Sequence, residues 1–147
     1  MILQFFLAMI ATASFAMLFC VPKKQLLISS LSGALGWICY LVFFALGAGS
    51  VLASLIATFF LTILARLFAA IRKNPATLYL VTGIFTLVPG AGIYYTSYYF
   101  IMNEMRLFAE KGMETFKIAG AIAVGIIFGF SIPQSLFQKA AKVFSCR

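Results

Sequence analysis

The chain has no histidine and no aspartate, and only three glutamates, four prolines and one tryptophan among its 147 residues. Without histidine, aspartate or a carboxylate inside an apolar run, the usual nucleophile, base and orienting-acid constellations have no members, which argues against an intramembrane enzyme. The three cysteines, Cys20, Cys39 and Cys146, share no ligand spacing, so neither a structural zinc site nor a Cys–His pair is expected, and no cofactor is implied. Disulfides are not expected either, since two of the three fall near one face of the bilayer. Charge is also scarce. Charged residues make up 10% of the chain, whereas a soluble domain covers its core with about one in four. What the chain has instead is 64% hydrophobic residues, 17 phenylalanines and a mean hydropathy of +1.10. Lipid, not water, is the solvent that suits this surface.

The placement of the charges orients the chain. Lys23 and Lys24 follow the first apolar run, Arg66, Arg72 and Lys73 close the third, and Lys139, Lys142 and Arg147 stand at the C-terminal end. The second gap is uncharged, and the fourth balances Arg106, Lys111 and Lys117 against Glu104, Glu110 and Glu114. The whole formal net charge of +8 therefore falls on one side. Counted over short loops, this bias predicts a cytoplasmic basic face, an outside N-terminus and a cytoplasmic C-terminus. The basic balance is thereby accounted for, and no nucleic-acid partner is needed.

A helix needs about 20 residues to cross roughly 30 Å of hydrocarbon. The apolar runs predict an all-α, polytopic membrane bundle, one transmembrane domain over 1–147, with five transmembrane helices at about 2–20, 26–46, 50–71, 76–102 and 116–136. The first run lacks a basic stretch before it and is followed by Val21-Pro22-Lys23-Lys24 instead of a small-residue cleavage site, so it reads as a helix and not as a signal peptide. The stretch 103–115 has a soluble pattern, with Arg106–Glu110 and Glu114–Lys117 spaced for surface pairing. It reads as a short interfacial helix, an extension of the fourth helix or an irregular loop. Arg66, a turn and a half from the end of the third helix, is expected to snorkel to the headgroups.

Small residues mark close approaches between helices. Ser29 with Gly33, Ser32 with Gly36, and Gly125 with Gly129 are each four apart, the spacing that lets backbones meet, in this chain or between chains. The fourth run is expected to break near Pro89-Gly90, because proline removes a donor and Gly90 and Gly92 tolerate non-helical backbone. Lipid cannot satisfy the freed groups, so the break must face protein or a watery cavity. Two readings stay open. It is a kink re-satisfied by hydroxyls such as Thr86, or the amides of Gly90, Ala91 and Gly92 open a second half-helix toward a substrate carboxylate. On the second reading, Thr82, Thr86, Pro89, Gly90, Ala91, Gly92, Thr96 and Ser97 form the substrate path. The tyrosines at 94, 95, 98 and 99 read chiefly as an interfacial belt.

The order Phe19-Cys20-Val21-Pro22, Ser32-Gly33-Ala34-Leu35-Gly36, Asn74-Pro75, Val88-Pro89-Gly90 and Ser131-Ile132-Pro133 resembles the small integral-membrane component of the threonine/serine exporter family. The resemblance covers most of the chain. It implies half of a two-part secondary transporter in the bacterial cytoplasmic membrane, driven by the proton gradient. A larger membrane subunit of the same family is the implied partner, in a hetero-oligomer holding one or several copies of this chain. The implied substrates are threonine and serine or, in some members, dicarboxylates such as succinate. With no carboxylate expected inside a span, a proton relay is expected on the partner. The competing reading is a non-transporting scaffold whose small-residue faces only hold a partner.

Overall fold

A computed structural model describes residues 2–138; Lys139, Lys142, Cys146 and Arg147 lie outside them. Among the described residues the principal helices are, in order, α1 (Ile2–Leu18), α2 (Lys23–Ala45), α3 (Gly49–Arg72), α4 (Ala76–Ile84), α5 (Gly90–Ile101) and α6 (Met105–Ser131). The all-α membrane bundle stands, but the expectation of five transmembrane helices is overturned. Among the described residues, three helices, α2, α3 and α6, are long and apolar enough to cross a membrane. The 17 residues of α1 rise only about 26 Å at 1.5 Å per residue. The fourth run is divided into helices of 9 and 12 residues, each well short of roughly 30 Å.

One motif ends four of these helices. Cys20, Gly47, Lys73 and Asn103 adopt positive φ of 54°, 85°, 55° and 59°. After each, an N–H reaches back five residues: Val21 to Ala16, Ala48 to Phe43, Asn74 to Ala69 and Glu104 to Tyr99, at 2.9 to 3.2 Å. These bonds satisfy carbonyls that a helix end leaves orphaned. Because Cys20 stops α1 in this way, the first helix ends at Leu18 and not at 20. At Lys73 the left-handed backbone carries a Cβ, so Lys73→Gly is expected to raise stability by about 0.5–1 kcal/mol, readable in detergent thermal melts.

The last helix also differs from expectation. The stretch 103–115 is neither an interfacial helix, an extension of the fourth run nor a loop; from Met105 onward it forms the opening turns of a continuous α6, which Gly112 does not interrupt. Glu110 and Glu114 therefore lie in the opening turns of α6, ahead of its uncharged stretch from Ile118 to Ser131. At its other end α6 stops at Ser131, five residues before the expected 136, because Ile132 turns extended (φ −68°, ψ 130°) ahead of Pro133.

Helices α2, α3 and α4 pack on one another; α1 lies against α2 and touches α4, α6 lies along α3, and α5 packs on α6. The core joins Ala57, Leu61, Ala65 and Ala69 of α3 to Tyr79, Leu80 and Leu87. Tyr79 is the largest fully buried side chain. Its hydroxyl donates to Gln25 Oε1 at 2.8 Å and accepts from Asn74 Nδ2 at 3.4 Å, fixing the foot of α4 to the start of α2. The small-residue faces are used within the chain. A Cβ on Gly33 would collide with Thr12 of α1, and one on Gly36 would press on Leu61 at 3.4 Å. Gly125 and Gly129 lie against Thr58 and Thr62 of α3. Those two threonines turn their hydroxyls back onto Ser54 O and Thr58 O at 2.6 and 2.8 Å, so a polar ridge can pack without stranding a donor. Ser29 is fully buried, and its Oγ has no hydrogen-bond partner among the described residues.

Candidate functional site

Between α4 and α5 the backbone leaves the helical ladder. The N–H groups of Thr86, Leu87 and Val88 fold back to Gly83 O, Ile84 O and Ile84 O at 2.8 to 3.3 Å, tightening the turn. Pro89 has no donor and sits at φ −75°, ψ 63°. Gly90 N–H then bonds to Val88 O at 2.8 Å, and the α5 ladder begins with Ile93 N–H to Pro89 O at 3.0 Å. Among the described residues, the amides of Ala91 and Gly92 reach no backbone acceptor, and the carbonyls of Phe85, Thr86 and Leu87 meet no backbone donor. Positive and negative half-helix ends thus face one break.

The break opens on a cavity of about 490 Å³. Its walls are Trp37, Tyr40 and Phe44 of α2, Ser50 and Ser54 at the start of α3, Thr86 to Gly92 of the break, Tyr95 of α5, and Lys111, Glu114, Thr115 and Ile118 of α6. Lys111 Nζ donates to Glu114 Oε2 at 3.0 Å, with both side chains partly exposed. This ion pair replaces the Arg106–Glu110 and Glu114–Lys117 pairs expected from spacing; it is the one salt bridge among the described residues. Screened by solvent, it is worth little as a brace. Its effect is to place one positive and one negative charge in the walls of the cavity that Ala91 and Gly92 also line. Glu114→Gln is accordingly expected to leave the thermal unfolding midpoint of the purified chain unchanged, so its effects on flux can be read without a folding defect.

The expected path residues divide into three groups. Thr86, Pro89, Gly90, Ala91 and Gly92 line the cavity. Thr96 and Ser97 line a separate, almost wholly apolar space of about 460 Å³ between α5 and α6, which Pro89 also borders. Thr82 is buried and spends its hydroxyl on Leu78 O and Tyr79 O, both at 3.1 Å, away from either space. A single polar path through all eight does not form, because Thr82 points into the core and the break turns α5 onto α6. Tyr40, Ser50, Ser54, Lys111 and Glu114 were not legible as wall residues. Their helices are brought to the break only by tertiary packing, and the spacing of Lys111 and Glu114 was the one available signal.

Arg66 does not snorkel. It is 6% exposed, and its Nη1 donates to Gly129 O, Phe130 O and Ile132 O at 2.8, 3.3 and 2.6 Å. The Phe130 and Phe137 rings lie 5.4 and 4.5 Å from its guanidinium carbon. A cation at the negative end of α6 satisfies carbonyls that lipid cannot.

An apolar bundle broken by proline and glycine over a charged cavity gives a chemical outline but no lineage. Residues 4–132 match the model of the family described as Threonine/Serine exporter, ThrE. The chain belongs to the threonine/serine exporter family. No curated protein and no solved structure matches it. As a multi-pass membrane protein of an exporter family, it has a composition in keeping with transport, and among the described residues no cluster of His, Cys, Asp and Glu could hold a metal ion.

Proposed function

We propose that this exporter-family chain is one subunit of a proton-gradient-driven secondary exporter of threonine and serine, working with a larger membrane protein of the same family in a hetero-oligomer. The observation that carries this reading is the pair of unpaired amides, Ala91 and Gly92, opening on a cavity that also holds Lys111 and Glu114. A zwitterion matches that set. Its carboxylate meets the amide end of α5 and Lys111, its ammonium meets Glu114, and its side-chain hydroxyl has Ser50 and Ser54 within the same walls. A dicarboxylate such as succinate would bring its second negative charge toward Glu114, which disfavours it.

The charge bias supports an orientation. Lys23, Lys24, Arg72 and Lys73 share one end of the bundle, and the neutralised Glu104–Lys117 stretch begins at the other. With the basic end cytoplasmic, the Gly47 turn, the N-terminal end of α1 and the cavity lie toward the outside, and the end of α6 at Ser131 lies inside.

The test is gradient-driven flux of labelled threonine and succinate in lipid vesicles holding this chain with its larger partner. Gly92→Val is expected to lower threonine flux at least roughly tenfold, because even a Cβ at Gly92 would collide with Thr115 and close the amide end. Gly90→Val, where an added Cβ meets nothing within 4 Å, is expected to be tolerated. Glu114→Gln should lose threonine preferentially over succinate. A scaffold would show intact flux in all three variants, and that result sinks the proposal.

A further inference from the structure

A second cavity, of about 680 Å³, lies at the opposite, basic end of the bundle, where α3 finishes, α4 begins and the chain leaves α6. Its polar lining comes from Arg66, Lys73, Asn74, Thr77, Gln134 and Gln138. Three sources of positive potential converge there. The first is Arg66. Its Nη1 is spent on the three α6 carbonyls, but the N–H groups of Nε and Nη2 have no acceptor among the described residues. Arg66 itself lines the cavity. The second is Lys73, held at the rim by the left-handed end of α3. The third is the opening turn of α4, where Leu78 N–H returns to Pro75 O at 3.2 Å while the Ala76 and Thr77 amides have no backbone acceptor among the described residues.

Among the described residues no carboxylate answers them. The glutamates at 104, 110 and 114 are all at or within the first turns of α6, at the far end. A zwitterionic amino acid would find no carboxylate for its ammonium among the described residues, unlike at the break, where Glu114 lines the wall. The guanidinium is also positioned in advance: the carbonyls fix one edge, the Phe130 and Phe137 rings lie beside it, and the remaining Nε–Nη2 edge is the one that takes two oxygens in parallel.

We propose that this cavity binds a phosphate-type oxyanion, held by the Nε–Nη2 edge of Arg66, by Lys73 and by the first amides of α4. The same chemistry is offered by the headgroup of an anionic phospholipid and by soluble phosphate. The test uses the full chain in phosphatidylcholine nanodiscs, with thermal unfolding followed after adding either phosphatidylglycerol to the bilayer or inorganic phosphate to the buffer. A bound oxyanion should raise the wild-type midpoint by roughly 5 °C at saturation. Lys73→Gly removes a charge at a position where glycine suits the backbone, so the variant folds at least as well. It should lose at least half of the response, as should Arg66→Lys. Lys24→Gln, which removes a charge at the same end but outside the cavity, should keep it. A rise with phosphatidylglycerol alone assigns the oxyanion to a lipid headgroup; a rise with inorganic phosphate as well assigns it to a soluble ligand. No rise with either anion, or a full rise retained in both Lys73→Gly and Arg66→Lys, overturns the proposal.

Discussion

Gly125→Leu is expected to cost roughly 3 kcal/mol and to separate α6 from α3. A Cβ at this position would stand 2.8 Å from Leu55 O, 3.1 Å from Thr58 Cβ and 3.2 Å from Phe59 N. Two of these are backbone atoms of a spanning helix and cannot rotate away, so the whole helix must shift. The shift would pull Gly129 from Thr62 and draw the α6 carbonyls away from Arg66, which spreads the damage along the interface. Thermal unfolding in detergent should register it as a large fall in midpoint. Gly120→Leu in the same helix is the control, since an added Cβ there meets nothing within 4 Å. Its stability should change little, with the better helix propensity of leucine in its favour. Equal losses in both variants would mean that the α3–α6 contact is not the determinant.

Arg66→Met is expected to have a comparable effect by a different route. Methionine keeps much of the stem and removes the donor, so Gly129 O, Phe130 O and Ile132 O lose their shared partner at the end of α6. Leaving buried carbonyls without a donor costs about 1–3 kcal/mol for each one that water cannot reach, and about 3 kcal/mol in total is the expected loss. Arg66→Lys should recover part of it, because an ammonium can still donate to the same carbonyls. The measurement is chemical unfolding of the three proteins in the same detergent. A snorkelling arginine would be replaced by methionine at almost no cost, so a negligible effect would return Arg66 to the headgroups.

These two positions show how far sequence reasoning reached. Gly125 and Gly129 were legible as a packing face because the four-residue spacing follows from helix geometry alone. The threonine ridge that fills that face was not, since Ser54, Thr58 and Thr62 look like ordinary membrane-helix hydroxyls until α6 lies on them. Arg66 was misread because distance from a helix end says how far a side chain can reach but not what neighbouring backbone it will find. The helix ends tell the same story. Gly47 and Asn103 carry the residue types that favour a left-handed cap, whereas Cys20 and Lys73 do not, and that is why the first helix was drawn too long. The break at Pro89 was legible from proline and glycine chemistry. Its cavity was not, because three of its walls come from helices distant in sequence.

By itself the sequence determined the solvent, the all-α class, the basic end and the place where the fourth run must break. Hydropathy, charge placement and the missing N–H of proline are properties of single residues and short windows. Tertiary structure decided that three helices and not five have spanning length, that the glycine faces pack within the chain, and that Lys111 pairs with Glu114 beside the break. It also decided that Arg66 turns inward. Each of these depends on which distant backbone group comes near, and that is fixed only when the helices pack in a medium that offers polar groups no other partner.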